Sequence, residues 1–168
     1  MRARPLSAAR YRPYGDVIAC APRKSRAANM GTARRSDFLT DLVNERPKAR
    51  ANLSVFRCAP FKGKVFPVRL LERHAHSTQV FLPLPGAGRF LVVVARGGKR
   101  PDLSTLAAFT VEGAQGISYR PGVWHHPMVV LGRSFDMACL VWEDGTPADC
   151  EVFRLRDGSR PSITIPAR

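Results

Sequence analysis

Short apolar runs, separated by turn-forming residues, dominate the chain after residue 50. Valine, phenylalanine and leucine are frequent in the runs, and glycine and proline in the segments between them, which is typical of β-strands joined by tight turns. The predicted strands are LSVFRC (53–58), FPVRLLERH (66–74), TQVFLPL (78–84), RFLVVVA (89–95), AAFTVE (107–112), GISYR (116–120), MVVL (128–131), FDMACLVW (135–142) and CEVFRL (150–155). Their regular spacing predicts an all-β fold, with residues 53–155 forming one antiparallel barrel or sandwich.

The helical signal is weak and predicts one or two short helices. Asp102 is a candidate N-cap for DLSTLAAF (102–109), but the apolar stretch there is long enough for only a turn or two. DFLTDLVNE (37–45) fits a short amphipathic helix or a strand equally well. Residues 21–36 are polar and have no periodicity, so a loop or an arm is predicted there.

The length of 168 residues fits a single domain over residues 1–168, in which residues 1–50 form a basic N-terminal strand or arm region. The formal net charge is +14, and 22 of the 27 basic residues are arginine. Such a field attracts anions, from carboxylate substrates to nucleic acid. The basic residues are dispersed as singles and pairs, however, so nucleic acid is not expected to be the main partner.

The longest uninterrupted apolar stretch, FLVVVA (90–95), is far shorter than the ~20 residues that span a bilayer, so no membrane partner is expected. There is no apolar segment of the kind that directs secretion. The four cysteines are widely spaced without a CxxC motif, which favours buried reduced thiols. We therefore expect a cytoplasmic protein.

The four histidines fall in two short segments, ERHAHSTQVF (72–81) and PGVWHHP (121–127). Glu72 and His74 are two residues apart, so they share one face of a strand. Gln79 lies five residues beyond His74, which predicts a tight turn and a return on the partner strand of a hairpin. His125 would join them from a later strand.

The other two histidines are predicted to have different surroundings. His76 falls inside the predicted turn, where it would be exposed. His126 points away from His125 if the segment is extended, and would support the site or simply pack. An alternative for Glu72 is a structural ion pair with Arg69 or Arg73.

The spacing Glu72-x-His74-x4-Gln79, followed by Gly122-x-x-His125, is similar to the two motifs of cupins. Glutamate replaces the first histidine of that pattern, and glutamine replaces its glutamate. Two imidazoles, a carboxylate and an amide can hold a divalent transition metal and leave positions open for substrate. They can equally act as acid and base groups, and from the sequence alone these roles are interchangeable.

Longer stretches of the chain resemble one family. They are YGDVI (14–18), LLERHAHSTQVFLPL (70–84), FLVVVA (90–95) and RPDLSTLAAFTVEGAQGISYRPGVWHHP (100–127). In this order they resemble the ureidoglycolate lyases. The resemblance is dense over residues 70–127 and thinner over residues 11–58.

The resemblance implies a cupin-like, jelly-roll β-barrel and a cytoplasmic homodimer. It implies cleavage of (S)-ureidoglycolate to glyoxylate and urea in allantoin breakdown, with Glu72, His74, Gln79 and His125 as catalytic or metal-binding residues. Nickel is the metal that the resemblance implies, although the spacing does not select it. The implied substrate contacts are Asn29, Thr32 and Arg35 in the N-terminal region, and Trp124 and His126 in GVWHHP.

Two other classes of function are open at this stage. One is a cupin-like module that binds a small acid without catalysing this reaction, or that catalyses another. The other is a nucleic-acid-binding protein driven by the positive charge. Turnover distinguishes the first from the lyase, and a steep salt dependence of binding would identify the second.

Overall fold

A computed structural model describes residues 1–21 and 25–167. Within these residues, one α-helical turn, α1 (Ala8–Tyr11), and 3₁₀ turns at Asn29–Gly31 and Leu103–Thr105 accompany the strands. The strands are β1 (Arg4–Pro5), β2 (Val17–Ile18), β3 (Arg26–Ala28), β4 (Ala33–Arg35), β5 (Arg50–Cys58), β6 (Pro60–Phe61), β7 (Val65–Pro67), β8 (Leu70–His74), β9 (Gln79–Pro83), β10 (Arg89–Ala95), β11 (Ala107–Glu112), β12 (Gly116–Tyr119), β13 (Trp124–His125), β14 (Val129–Leu131), β15 (Phe135–Glu143), β16 (Cys150–Arg154) and β17 (Ser162–Thr164).

Two sheets form the body of the molecule. The large sheet has the strand order β1-β11-β10-β13-β8-β16, with β14 also paired to β10 and β6 to β14. The small sheet has the order β2-β12-β9-β15-β5. Among the described residues, the pairings are antiparallel except for β1 with β11 and β14 with β6. The predicted all-β class is confirmed, but the two sheets do not close into the barrel predicted over residues 53–155.

Strand β10, in the interior of the large sheet, is buried on both faces. Phe90, Val92 and Val94 of β10 pack in the core between the two sheets, together with residues of the small sheet such as Ile117 and Met137. Alternate residues of the same strand pack in a second core on the outer face, which the pair β7–β17 helps to cover. A strand buried on both sides needs apolar residues at every position, which explains the unbroken run FLVVVA.

The N-terminal third contributes strands rather than a separate unit. β1 pairs with β11 of the large sheet, and β2 pairs with β12 of the small sheet. Among the described residues, β3 and β4 pair only with each other and form a hairpin, here called the arm, over residues 26–35. The arm lies in the segment predicted to be a loop or an arm, of which residues 22–24 lie outside the described residues.

Of the two segments predicted as candidate helices, 102–109 contains a helical turn and 37–45 does not. Asp102 does cap a turn, accepting a hydrogen bond from the Ser104 amide at 3.0 Å, but the turn is a single 3₁₀ turn. Residues 37–45 form neither a helix nor a strand, apart from one bridge between Asn44 and Ser77. No helix in the described part of the chain is long and apolar enough to cross a bilayer.

The hairpin predicted to turn between His74 and Gln79 is wrong. β8 pairs with β13 and β16 in the large sheet, whereas β9 pairs with β12 and β15 in the small sheet. Residues 75–78 therefore pass from one sheet to the other. Hydrogen bonds from Ala75 N to Asp149 O and from Thr78 N to Val43 O fix this crossing. As a result, Gln79 faces the histidines from the opposite sheet.

Candidate active site and metal centre

Strand register brings Glu72, His74 and His125 together on the inner face of the large sheet. His125 of β13 lies directly opposite Glu72 of β8 in the antiparallel ladder. Gly122 sets this register, because its amide donates to the His74 carbonyl at 2.7 Å while its φ of 78° lies in the region that favours glycine. The Gly122-x-x-His125 motif is therefore the turn that places His125 beside β8.

The three side chains form a compact cluster. Glu72 Oε1 lies 3.6 Å from His125 Nε2. The rings of His74 and His125 are nearly parallel, with their centroids 5.9 Å apart. One potential ligand atom from each of the three residues lies within 4.8 Å of the others. The prediction that the two histidine segments meet in space agrees with this geometry.

Hydrogen bonding indicates which nitrogen of His125 is free. The ring Nδ1 lies 2.9 Å from the Val123 carbonyl, which can only accept, so the proton belongs on Nδ1. Nε2 faces the Glu72 carboxylate at 3.6 Å, slightly longer than an ordinary hydrogen bond, and without a proton on Nε2 both groups are acceptors. Two buried acceptors facing each other require a proton or a cation between them.

The charge states of Glu72 and His74 favour binding of a cation. Burial raises the pKa of Glu72, but hydrogen bonding with His125 and the positive charge of His125, His74 and His126 when protonated outweigh it, so the pKa lies below its ordinary value. Burial, helped by His125, lowers the pKa of His74 against the opposing effects of Asp149 and Glu72. Near neutral pH, the cluster is thus an anionic carboxylate beside a neutral imidazole. These are the forms in which both groups bind divalent metals, so the residues fit a metal ion.

The small sheet supplies the opposite wall of the cluster. The Tyr119 ring of β12 stacks on the His125 ring, with centroids 3.9 Å apart and an angle of 8° between the planes. Gln79 is the ladder partner of Tyr119 and is buried. Burial raises the pKa of Tyr119, which keeps the phenol protonated. Burial also raises the pKa of the nearby Cys139 thiol, to about 12, even though a side-chain hydrogen bond with Gln79 lowers it.

Three polar atoms of this region stand out among the described residues. They are buried side-chain atoms without a hydrogen-bond partner: His74 Nδ1, Gln79 Oε1 and His125 Nε2. Buried polar groups are normally satisfied, so each calls for a ligand, a proton or water. All three belong to residues that the sequence placed in the site.

Trp124 and His126 lie on the other side of β13. The Trp124 indole belongs to the outer core, donates to the Gly98 carbonyl at 3.1 Å and lies under the Arg73 guanidinium. The His126 ring packs edge-on against Phe66 with centroids 4.8 Å apart. Neither contact involves the cluster, so the structure does not bring these two predicted substrate-binding residues to it.

Asn29, Thr32 and Arg35 lie on the exposed arm. Thr32 bonds to the Asn29 carbonyl, and Arg35 pairs with Asp37. These contacts stay within and beside the arm rather than reaching the cluster. His76 is half-exposed beside Glu45, as its predicted turn position required.

Sequence reasoning missed two neighbours of the cluster. Tyr119 lay in a run interpreted only as a strand, although alternation in GISYR, opposite Gln79, would have placed it on the inner face. Asp149 lies in the segment EDGTPAD, which was interpreted only as a turn, and its carboxylate is 3.4 Å from His74 Nδ1. No pattern in the sequence pairs residues 74 and 149, because only the folded register of β16 against β8 brings them together.

Comparison with known proteins identifies the family. The family model described as Ureidoglycolate lyase matches residues 1–161. A Burkholderia cepacia protein named ureidoglycolate lyase is 36% identical over 156 residues, covering 92% of this chain and 86% of that protein. An Escherichia coli O1:K1 ureidoglycolate lyase is 38% identical over 148 residues, covering 88% and 89% of the two chains. The chain belongs to the ureidoglycolate lyase family, as its motifs predicted.

Among solved structures, a dTDP sugar isomerase from Desulfovibrio desulfuricans G20 is similar to this chain. The two have a TM-score of 0.49 and 16% sequence identity, over 86% of this chain and 85% of the isomerase.

Proposed function

We propose that this protein is a ureidoglycolate lyase that cleaves ureidoglycolate to glyoxylate and urea, and that the Glu72–His74–His125 cluster is its active site. Family membership over residues 1–161 supports the reaction. The observation that carries the site is the buried contact between two acceptors, Glu72 Oε1 and His125 Nε2, at 3.6 Å. A reacting group or a cation is needed to make that contact favourable.

The reaction moves one proton and breaks one bond. The hydroxyl on the reacting carbon loses its proton, its oxygen becomes the aldehyde carbonyl of glyoxylate, and the C–N bond breaks. The electrons of that bond leave with the urea nitrogen, which takes up a proton. No oxidant or reductant is required, and a single group can carry the proton from oxygen to nitrogen.

We assign that proton transfer to the Glu72 carboxylate. The Glu72 carboxylate stays negatively charged, because the nearby imidazoles hold its pKa below the ordinary value despite burial. Gln79 offers Oε1, a buried acceptor without a partner among the described residues, to an N–H group of the ureido moiety. The dry wall formed by Tyr119 and Cys139 strengthens these polar contacts by excluding water.

A divalent metal, if bound, would be held by Glu72, His74 and His125, and would stabilise the negative charge that develops on the substrate oxygen. We propose nickel as the metal on the ground of the family resemblance, since the donor set of two imidazoles and one carboxylate accepts several first-row metals.

We further propose that Asn29, Thr32 and Arg35 of the arm contact the substrate, with Arg35 as a bidentate partner for its carboxylate. Their exposure leaves them available to a ligand.

The chain would act as one domain, because β1 and β2 join the two sheets. A cytoplasmic role in allantoin breakdown stays a prediction from the sequence, and the dispersed basic residues give nucleic acid no place in the proposal.

We also propose that the protein is a homodimer that pairs through β5. This strand forms the edge of the small sheet, and its Leu53 and Val55 side chains are 71% and 61% exposed. A long apolar edge strand invites strand pairing. Antiparallel pairing of two copies about Ser54 would place Leu53 opposite Val55 of the second copy. Light scattering should give twice the monomer mass for the wild type and the monomer mass for Val55→Lys, with Val65→Lys, on another exposed strand, as control.

Turnover by purified protein tests the function. Incubation with ureidoglycolate should release glyoxylate and urea in equal amounts, measured by a coupled reductase assay and by urease. Release of ammonia without urea would indicate a hydrolase of a different class. Binding without release of either product would indicate a small-acid-binding module. His76→Gln, at an exposed histidine outside the cluster, serves as the control variant.

A further inference from the structure

Asp149 is a buried carboxylate placed next to the cluster but outside it. The residue is 3% exposed and directly precedes β16, whose Cys150 is the ladder partner of His74. The Ala75 amide donates to the Asp149 carbonyl at 3.1 Å. The backbone on both sides of the contact is therefore fixed, and it holds Asp149 Oδ2 3.4 Å from His74 Nδ1.

The orientation of this carboxylate is set from three directions. Oδ1 accepts a hydrogen bond from the His76 amide at 2.7 Å. Oδ2 accepts one from the Ser77 hydroxyl and lies 3.8 Å from a terminal nitrogen of Arg46. Arg46 is itself held by Asp144 at 2.9 Å and by the Trp142 carbonyl at 2.7 Å. The group that faces the His74 ring is thus a carboxylate oxygen held in place by contacts in which it acts as an acceptor.

His125 shows the same arrangement with a different acceptor. Its Nδ1 faces the Val123 carbonyl, which leaves Nε2 free towards Glu72. His74 has Asp149 in the position that the Val123 carbonyl takes for His125. In metal sites, an acceptor on one ring nitrogen fixes the tautomer and directs the lone pair of the other nitrogen to the metal.

We propose that Asp149 is the positioning residue of His74: it holds the proton on Nδ1, so that Nε2 presents its lone pair to a divalent metal in the Glu72–His74–His125 cluster. The inference rests on the proposed use of the cluster as a metal-binding active site. A contact of 3.4 Å is slightly longer than an ordinary hydrogen bond, and His74 Nδ1 has no other hydrogen-bond partner within the described residues. The competing explanation is that Asp149 only fastens the crossing at residues 75–78.

Asp149→Asn separates the two explanations because of where its amide must point. The His76 amide requires an acceptor at the Oδ1 position, so the carboxamide oxygen stays there and the NH₂ group takes the Oδ2 position. The Ser77 hydroxyl can reverse its role and accept. The crossing keeps its hydrogen bonds and loses only the 3.8 Å contact with Arg46, whereas His74 now faces a donor and must carry its proton on Nε2.

The first measurement is the tautomer of His74 in the metal-free protein. Long-range ¹H–¹⁵N correlation spectra, recorded at about pH 8 where imidazoles are neutral, should show the proton on Nδ1 in the wild type and on Nε2 in Asp149→Asn. A wild-type His74 protonated on Nε2 would overturn the proposal whatever the behaviour of the variant.

The second measurement is the affinity for Ni²⁺ alone, by competition with a chelator. Asp149→Asn should bind about 10- to 100-fold more weakly, in the range found for outer-shell partners of ligating histidines. The control Asp144→Asn, whose carboxylate contacts Arg46 and not Asp149, should keep wild-type affinity.

If the wild type and Asp149→Asn have the same His74 tautomer and the same affinity for Ni²⁺, Asp149 has only a structural role, and the proposal is overturned. Neither measurement uses ureidoglycolate. A protein that lacks lyase activity but shows the tautomer switch would contradict the proposed function alone, whereas a metal-independent lyase without the switch would contradict the inference alone.

Discussion

The two faces of β8 and β13 carry neighbouring residues of similar type with opposite surroundings. On the inner face, Glu72 and His125 direct acceptors at each other, and His125 Nε2 has no hydrogen bond to any described residue. On the outer face, Arg73 pairs with Glu151 and lies 4.9 Å above the Trp124 ring. The Arg73 guanidinium and the Trp124 indole both donate to the Gly98 carbonyl. Arg73 and Trp124 use most of their polar atoms to hold the fold, and among their described atoms only Arg73 Nε is buried without a partner. On the inner face, two acceptors face each other.

Because the two faces of β8 and β13 carry similar residue types, residue type alone does not identify the site in this chain. His125 and His126 are adjacent, yet only His125 contacts Glu72, and His126 packs on Phe66. Alternation along a strand determines which of two neighbours reaches the cluster. Two acceptors that face each other in a largely buried site are the better sign of function, because such a contact is costly without a proton or a cation between them.

The largest expected effect comes from substituting the two adjacent histidines. His125→Gln should lower turnover of ureidoglycolate on the order of 10³-fold, because it removes a ligand or proton-transfer group. His126→Gln should stay within a few-fold of wild type, since its ring lies on the outer face. Initial rates at saturating substrate measure both. Equal losses in the two variants would remove the distinction between the faces.

Glu72→Gln should reduce turnover by about 10²-fold or more, since the variant loses the charge that serves as base or ligand. If Glu72 acts mainly as a ligand, excess metal restores part of the activity. If it acts mainly as the base, activity stays low at saturating metal while substrate still binds. Rates across a metal titration distinguish the two roles. Near-normal turnover with unchanged metal content would remove Glu72 from the site.

Trp124→Phe should change stability more than activity. The variant loses the hydrogen bond to the Gly98 carbonyl and part of the contact with Arg73, which is expected to cost about 1–2 kcal/mol. Urea denaturation measures the loss, and KM should remain close to the wild-type value. A large rise in KM without a loss of stability would instead restore Trp124 as a substrate contact.

The smallest expected effect is on the pH dependence of stability, and it comes from Cys139, which is buried behind the cluster. Burial raises the pKa of Cys139 to about 12, so the folded protein keeps this thiol neutral at pH values where the unfolded chain ionises it. The resulting stability is fully present below about pH 9 and is lost as the pH rises towards 12, the loss staying under about 1 kcal/mol at pH 9.5.

Cys139→Val removes this titration, so the stability difference between wild type and variant should narrow between pH 8 and pH 9.5 if the wild type starts out the more stable. Chemical denaturation at a series of pH values measures it. The range ends before the buried tyrosines contribute. A difference that is independent of pH would show that water reaches the thiol.

The sequence was most informative where local pattern and fold agree. The run RFLVVVA predicted a strand, which β10 confirms, and its unbroken apolar character is explained by burial on both faces. The Gly122-x-x-His125 spacing predicted His125 in the site because the turn at Gly122 fixes the register. The hairpin between β8 and β9 was wrong because a four-residue connection can join partner strands or cross between sheets, and the choice depends on distant contacts with Asp149 and Val43.

Other parts of the site depended on long-range pairing. Asp149 reaches His74 only through the ladder between β16 and β8, seventy-odd positions apart, for which no local pattern exists. Trp124 and His126 were assigned to the site by the motif, although strand alternation places them opposite His125. The N-M-G-T segment of the arm stays a prediction, since the contacts of the arm are within itself and with its neighbours.

Anomalous diffraction from crystals soaked in Ni²⁺ would locate the bound ion. We expect a single strong peak at the inner face of the large sheet, about 2.0–2.2 Å from one atom each of Glu72, His74 and His125, as ligand distances to nitrogen and oxygen require. The peak should be absent from Glu72→Gln crystals soaked in the same way, and present with Arg73→Lys, which alters only the outer face. An active wild-type protein whose crystals show no peak at the cluster, or a peak elsewhere, would contradict the assignment of the inner face as the metal-binding active site.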